Sequence, residues 1–322
     1  MPATEDLSDA QEAKVTSKVK YGCCALLVIV LPLLIASAGA QAKTQEKPTS
    51  HNQWKSVQDV FGFPGDLLPE GVIRFNMPRK DLHVTVAGTK VKPALALGAW
   101  AAFRRVGAND AMIMGDLVLT SDEVAPAMKA LEEGGVEVTA LHNHLLGESP
   151  KIMYIHMGGH GDPVKLAQTV KNAVTVIKAP LPQGPSTAES QELSFDVAEV
   201  EKLMGAKVKV SGGVLHFNVP RAEKLTEEGT DTPGSMGAGT SINFQLTGEG
   251  RAAIAGDFAM TGKEVGPVLK VLRENGIQAV ALHSHALDDN PRLFYTHFWA
   301  NDDALALAKA LRAALDQTNS KR

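Results

Sequence analysis

Two stretches of the chain place apolar and polar residues in the same order. "GDLVLTSDEVAPAMKALEEGGVEVTALHNH" begins at Gly115 and "GDFAMTGKEVGPVLKVLRENGIQAVALHSH" at Gly256, and they align without a gap. Before each, an apolar run closes on a Gly-Asp pair ("AMIMGD", "AAIAGD") and reads as a strand. Val124, Met128 and Leu131 then recur at helical spacing, as do Val265, Leu269 and Leu272. Thr120-x-x-Glu123 and Thr261-x-x-Glu264 are spaced as capping boxes. Pro126 and Pro267 disturb the early turns, and Gly134-Gly135 and Asn275-Gly276 end the helices. Two β segments carrying histidines follow. In the first copy Asp162-Pro163 then opens a last helix with an N-cap and a proline at its first position.

The repetition extends upstream, where "VIRFNMPR" from Val72 echoes "VLHFNVPR" from Val214. The pattern predicts an α+β fold, a tandem duplication of a mostly antiparallel sheet unit with helices on one face. The expected divisions are a signal peptide (1–40), a flexible tail (41–57), a first repeat (58–180), a linker rich in Pro, Ser and Gly (181–191) and a second repeat (192–316). Apolar strand faces that one repeat cannot cover alone predict that the copies superpose and pack together.

Composition narrows the class. The 322 residues are 44% hydrophobic and 21% charged, with a net charge of −4, as in ordinary globular proteins. No long basic run appears and aromatics are few, which argues against nucleic acid as a partner. Lys14, Lys18 and Lys20 precede the apolar stretch "CCALLVIVLPLLIASAGA", which ends in small residues suited to signal cleavage. The expectation is an exported protein, periplasmic or secreted, with no stable membrane span after cleavage near Gln41. An uncleaved anchor is the alternative, since the stretch is near the lower limit for a span. The only cysteines, Cys23 and Cys24, lie in that stretch. A metal site in the exported part must therefore use His, Asp or Glu.

Six of the ten histidines fall in one pattern written twice: His142, His144 and His156, then His283, His285 and His297. Residues two apart on a strand share a face. Ala140–His144 and Ile152–His156 are predicted to form an antiparallel hairpin, with His142 opposite His156 and His144 opposite Tyr154. Val136, Val138 and Ala140 are placed on the same face as the histidines, and His283, His285, Tyr295 and His297 repeat the parity. Three imidazoles on one face form a ligand set for a divalent metal, zinc first, with a fourth position open. No organic cofactor is predicted. Glu148 and Asp116 are the candidate catalytic proton carriers, with Asp257, Asp288 and Asp289 in the second copy. His160 extends the first site where Asn301 stands in the second, which favours the first copy if only one is active. The bland reading is a solvated or hydrogen-bonded pair of histidines in each copy. The histidine face is expected to be partly open, because buried imidazoles without partners are costly.

Other features are less specific. "MGGHGD" before the last helix of the first copy offers amides to an anion, but a helix cap explains it equally. Met114, Met153 and Met157 read as core. Thr226 to Gly239 reads as a mobile loop.

The run "AMIMGDLVL…EVAPAMKALEEGGVEVTALHNH…SPKIMYIHMGGHGD", with its second-copy counterpart, resembles the LppY/LpqO family of exported bacterial proteins over nearly all of the mature chain. That resemblance implies an exported domain of unknown function. Some members of the family are lipoproteins, whereas this chain has no cysteine at the expected cleavage point. Acetolactate decarboxylases are similar in a looser way, binding zinc through an H-x-H and a later His on β structure. The readings that stand are a metal-dependent hydrolase or lyase acting on a small-molecule or cell-envelope ligand, a non-catalytic metal- or envelope-ligand-binding protein, and a structural module.

Overall fold

The computed structural model describes residues 51–182 and 197–321. The signal-peptide reading of 1–40 and most of the linker lie outside the described residues. In the first repeat, α1 (Lys55–Phe61) leads into β1 (Asp66–Leu68), β2 (Val72–Pro78), β3 (Thr85–Val86) and β4 (Thr89–Lys90). Then come α2 (Pro93–Ala96), β5 (Gly98–Arg105), β6 (Ala111–Thr120) and α3 (Val124–Glu133). The strands β7 (Glu137–His142), β8 (Glu148–Ser149) and β9 (Ile152–Gly161) and helix α4 (Pro163–Val176) complete it. The second repeat opens with α5 (Val197–Met204), β10 (Lys209–Ser211), β11 (Val214–Pro220), β12 (Thr226–Glu227) and β13 (Thr230–Asp231). It continues with β14 (Gly239–Gly248), β15 (Arg251–Thr261), α6 (Gly262–Glu274) and β16 (Gln278–His283). It closes with β17 (Asp289–Asn290), β18 (Leu293–Asp303) and α7 (Ala304–Leu315).

The fold is α+β, and each repeat is an antiparallel six-stranded sheet of one topology. The orders are β1-β2-β5-β6-β9-β7 and β10-β11-β14-β15-β18-β16, with a three-stranded ribbon, β4-β3-β8 or β13-β12-β17, beside each. One face of the first sheet presents Ile73, Phe75, Phe103, Ile113 and Ile155 to α1, α3 and α4, and all five are buried. Each such side chain contributes roughly 1.5–3 kcal/mol by leaving water. Trp54 is wholly buried in this core, so the segment expected as a flexible tail is helical from His51 and packed. Trp54, Val57 and Phe61 recur at helical spacing, and all three are buried.

The capping glutamates have a second duty. Glu264 completes a capping box with Thr261, and both its oxygens accept from the buried Arg221. In the first repeat Glu123 accepts the Thr120 N–H at 2.8 Å and pairs with the buried Arg79. The Thr120 hydroxyl turns instead to Asp122, so that box is half formed and α3 starts later than α6. The arginines are those of "NMPR" and "NVPR", and each also holds a β-strand carbonyl, of Val118 or Ala259.

The histidine-bearing faces of the two sheets are turned toward each other, and each repeat reaches across the other. From the first, the Lys92 N–H donates to Gln245 at 2.8 Å, Gln245 returns a bond to the Lys90 carbonyl at 2.6 Å, and Asn301 donates to Thr89 at 2.9 Å. From the second, the Asp231 carbonyl accepts from Arg104 at 2.9 Å, and Met236 packs with Trp100, Met112 and Met114. The stretch read as a mobile loop is this second arm. It is ordered by the β12–β13–β17 ribbon and by apolar packing on both sides, Ala238 on its own repeat and Met236 on the other.

Candidate metal centre

The hairpins carry the histidines to the contact between repeats. In β7 and β9, Ala140 pairs with His156 and His142 with Tyr154. The predicted register is thus displaced by two residues, which preserves the parity and keeps the three histidines on one face. A bulge between Val138 and Ala140 turns Val138 to the opposite face, so it does not share the histidines' face. The bulge recurs between Val280 and Leu282. In each copy it sets two residues opposite the third histidine.

The expectation of a partly open face is overturned. His142, His156, His285 and His297 are buried, because the two faces cover one another. Across the contact His142 Nε2 lies 3.1 Å from His297 Nε2. Ring centroids of His142 and His283 are 3.8 Å apart, those of His144 and His297 3.6 Å, and those of His156 and His285 3.9 Å. Tyr154 stacks on His144 and Tyr295 on His285, each at 3.4 Å. These tyrosines were placed on the right face by sequence, but their role as walls was not foreseen.

The Gly-Asp pairs sit directly across from the third histidine. Asp116 is opposite His156 and Asp257 opposite His297. Asp116 lies 3.5 Å from His144 Nε2, and Asp257 lies 3.6 Å from His285 Nε2. The preceding glycine contributes its carbonyl. His297 Nδ1 is 3.1 Å from the Gly256 oxygen, and His156 makes the same kind of bond to Gly115. A carbonyl only accepts, so Nδ1 carries the proton and Nε2 presents its lone pair to the centre. Three groups of donors result, each with ligand atoms within 4.8 Å of one another: His142, His156, His283 and His297; Asp116, His144 and His156; and Asp257, His285 and His297.

Several of these atoms are buried and have no hydrogen-bond partner among the described residues: Asp116 Oδ1, His142 Nδ1, Nε2 of His144, His156 and His285, and both ring nitrogens of His283. Burial lowers all six histidines, His156 to about 3 and His283 to about 4. Burial raises both aspartates, Asp257 to about 7, and Asp257 adds its charge to the rise at Asp116. The centre without metal is therefore a set of neutral imidazoles ready to donate.

Other sequence candidates lie elsewhere. The Glu148 carboxylate accepts the Ile152 N–H within its own turn and joins none of the donor groups. Asp289 does the same for Leu293, and Asp288 is exposed. His160 faces Glu228 at 3.7 Å rather than extending the cluster. The amides after "MGGHGD" are capped by Asp162.

A dependence on pH follows. An unfolded histidine titrates near 6.5, whereas these remain neutral well below it in the folded state. The unfolded chain thus binds more protons as pH falls from about 6.5 toward 4, and stability is lost in that window. The two aspartates act in the opposite sense, since their folded values are raised, but six groups outweigh two. The urea midpoint of metal-free protein is expected to fall as pH drops from about 6.5 to about 4.5. A midpoint that holds or rises would contradict neutral burial.

No described helix is long and apolar enough to cross a membrane. No curated protein matches the chain. Among solved structures, a trimeric bacterial microcompartment shell protein, PduB, is similar at 13% identity over 78% of this chain and 89% of its own, with a TM-score of 0.20. EtuB from Clostridium kluyveri is similar at 9% over 78% and 90%, with a TM-score of 0.18. Superpositions this loose transfer neither fold nor function. The family model described as Domain of Unknown Function (DUF1259) matches residues 55–176 and again 198–317, so the chain belongs to that family and carries two copies of its domain.

Proposed function

We propose that the protein holds two divalent metal ions, zinc first, in a centre built jointly by its repeats. One ion takes Asp116, His144 and His156 with His283 from the other repeat. The second takes Asp257, His285 and His297 with His142. The observation that carries this reading is the set of buried donor atoms without partners, gathered from both repeats around one point. Zinc–nitrogen bonds of about 2.0–2.1 Å put neighbouring tetrahedral ligands roughly 3.3 Å apart, close to the 3.1 Å between His142 and His297. A single ion on the four central histidines is the weaker reading. His156 and His297 each offer one free nitrogen, so that ion would exclude both flanking groups and leave both buried aspartates without a cation.

The surroundings are closed, which favours metal holding over turnover of a large substrate. The signal-peptide reading of residues 1–40 and the LppY/LpqO resemblance support a location outside the cytoplasm. A hydrolase or lyase reading keeps one supporting observation, a small cavity that touches His285. Elemental analysis of untagged protein tests the proposal. Two equivalents per chain are expected, and His142→Ala/His144→Ala, which removes one ligand from each ion, should lose both. One equivalent that survives His144→Ala/His285→Ala would replace the pair with a central four-histidine ion. No metal at all would end the reading.

A further inference from the structure

The two repeats stop mirroring each other beside His285. A cavity of about 20 Å³ lies there, lined by Glu227, Thr232, Ala238, His285, Ala286 and Asp289 among others. That is room for about one water or one bare metal ion. At the equivalent places in the first repeat stand Val86, Val91, Leu97, His144, Leu145 and Glu148. Val86, Val91, Leu97 and Leu145 are buried in one hydrophobic cluster. The opposite wall differs as well. A Cβ on Gly158 would lie 3.5 Å from Glu227 Oε1, whereas the equivalent of Gly158 is Trp299, which sits in the same cluster as Val86. One side is thus plugged by leucine, valine and tryptophan. The other is hollowed by alanine and glycine and given a carboxylate.

That carboxylate is badly placed for a purely structural role. Glu227 is 8% exposed, and its Oε2 is buried without a hydrogen-bond partner. It pairs directly across the ribbon with Asp289, a like-charged cross-strand pair that destabilises unless a cation intervenes. One Asp289 oxygen accepts the Leu293 N–H at 2.7 Å. Arg292 approaches the other at 3.0 Å without hydrogen-bond geometry. Glu137, Glu228 and Asp288 are exposed and add further negative charge around Glu227. Glu228 and Asp288 are tied together by a backbone bond of 3.0 Å.

We infer that this cavity is the entry site through which a divalent cation reaches the buried centre, with Glu227 receiving the ion and passing it to Asp257, His285 and His297. The inference rests on the two-ion reading. The second repeat's ion exchanges with solvent by way of Glu227, whereas Val86 and Trp299 leave no carboxylate on the corresponding path to the first repeat's ion. The exposed acids draw cations to the mouth, and the buried carboxylate replaces part of the ion's water shell before the imidazoles do.

Stopped-flow mixing of metal-stripped full-length protein with Co²⁺, followed by the cobalt ligand-field absorption, tests it. Glu227→Gln keeps the shape and removes the charge. It should load about tenfold more slowly, the scale on which charged clefts accelerate cation capture, and reach the wild-type final absorbance. The exposed pair Glu228→Gln/Asp288→Asn should slow loading less and flatten its salt dependence. Loading of Glu227→Gln at the wild-type rate overturns the entry site and leaves the two-ion reading standing. A reduced final absorbance with an unchanged rate makes Glu227 a ligand, which also overturns the entry role. Wild-type protein that takes up no Co²⁺ removes both readings.

Discussion

Stripping the two metal ions with a chelator is expected to lower the melting temperature by roughly 20 °C. Metal at a thousandfold excess over its dissociation constant stabilises the folded state by about 4 kcal/mol per site. In a domain of this size each kcal/mol moves the midpoint by about 2–4 °C. The effect should be that large because the buried donors have no other partners. Without metal, Asp116 and Asp257 are buried next to imidazoles that burial keeps neutral, and no proton satisfies every nitrogen. The variant His156→Ala/His297→Ala removes one donor from each ion. It should melt at the stripped temperature whether or not zinc is added. Equal melting curves for stripped and loaded wild type would show that the imidazole cluster stands without a cation.

Gly256→Ala should cost about 3 kcal/mol, the top of the ordinary overpacking range, because the obstacle is backbone. A Cβ at Gly256 would overlap the Ser241 carbonyl oxygen and stand 2.9 Å from its carbon. The strands β14 and β15 would have to part where Ser241 pairs with Asp257. The same shift moves the Gly256 carbonyl that fixes the His297 ring, so metal affinity should fall with stability. Gly115→Ala should cost less. Its Cβ would meet the Trp100 carbonyl at 2.6 Å, but its other close neighbour is the flexible end of Met157. Gly266→Ala in α6 meets nothing within 4 Å and should be neutral or slightly stabilising. Denaturant midpoints of the three variants check the order, and a Gly256→Ala protein as stable as Gly266→Ala would refute the close-approach argument.

Much of this arrangement was legible in the residues. The gapless repeat gave the element order, and strand parity put His142, His144, Tyr154 and His156 on one face despite a register displaced by two. The Gly-Asp pairs were read as strand ends, yet β6 and β15 run on to Thr120 and Thr261 and hold the pairs in mid-strand, and the glycine's carbonyl role needs the neighbouring histidine in place. What was not legible is long-range. Nothing in either copy alone says that the two histidine faces close on each other, so a face expected to be partly open is covered. The bulge at Thr139 escaped because alternation carries no mark of one extra residue. Glu148 seemed near the histidines because it lies in their turn, yet its oxygen is spent on Ile152. Glu227, far along the chain from the six clustered histidines, comes beside His285 through the pairing of β12 with β17.

Crossed arms and histidines that face one another from the two halves are the layout of a two-fold homodimer. Such a dimer can change only in duplicate, because a substitution that opens one side opens the other. Joining the halves in one gene removes that constraint. Val86 could stay a plug while its counterpart became Glu227, and Gly158 could stay bare while its counterpart became Trp299. Covalent fusion thus lets a symmetric ancestor evolve a front and a back around the same central residues.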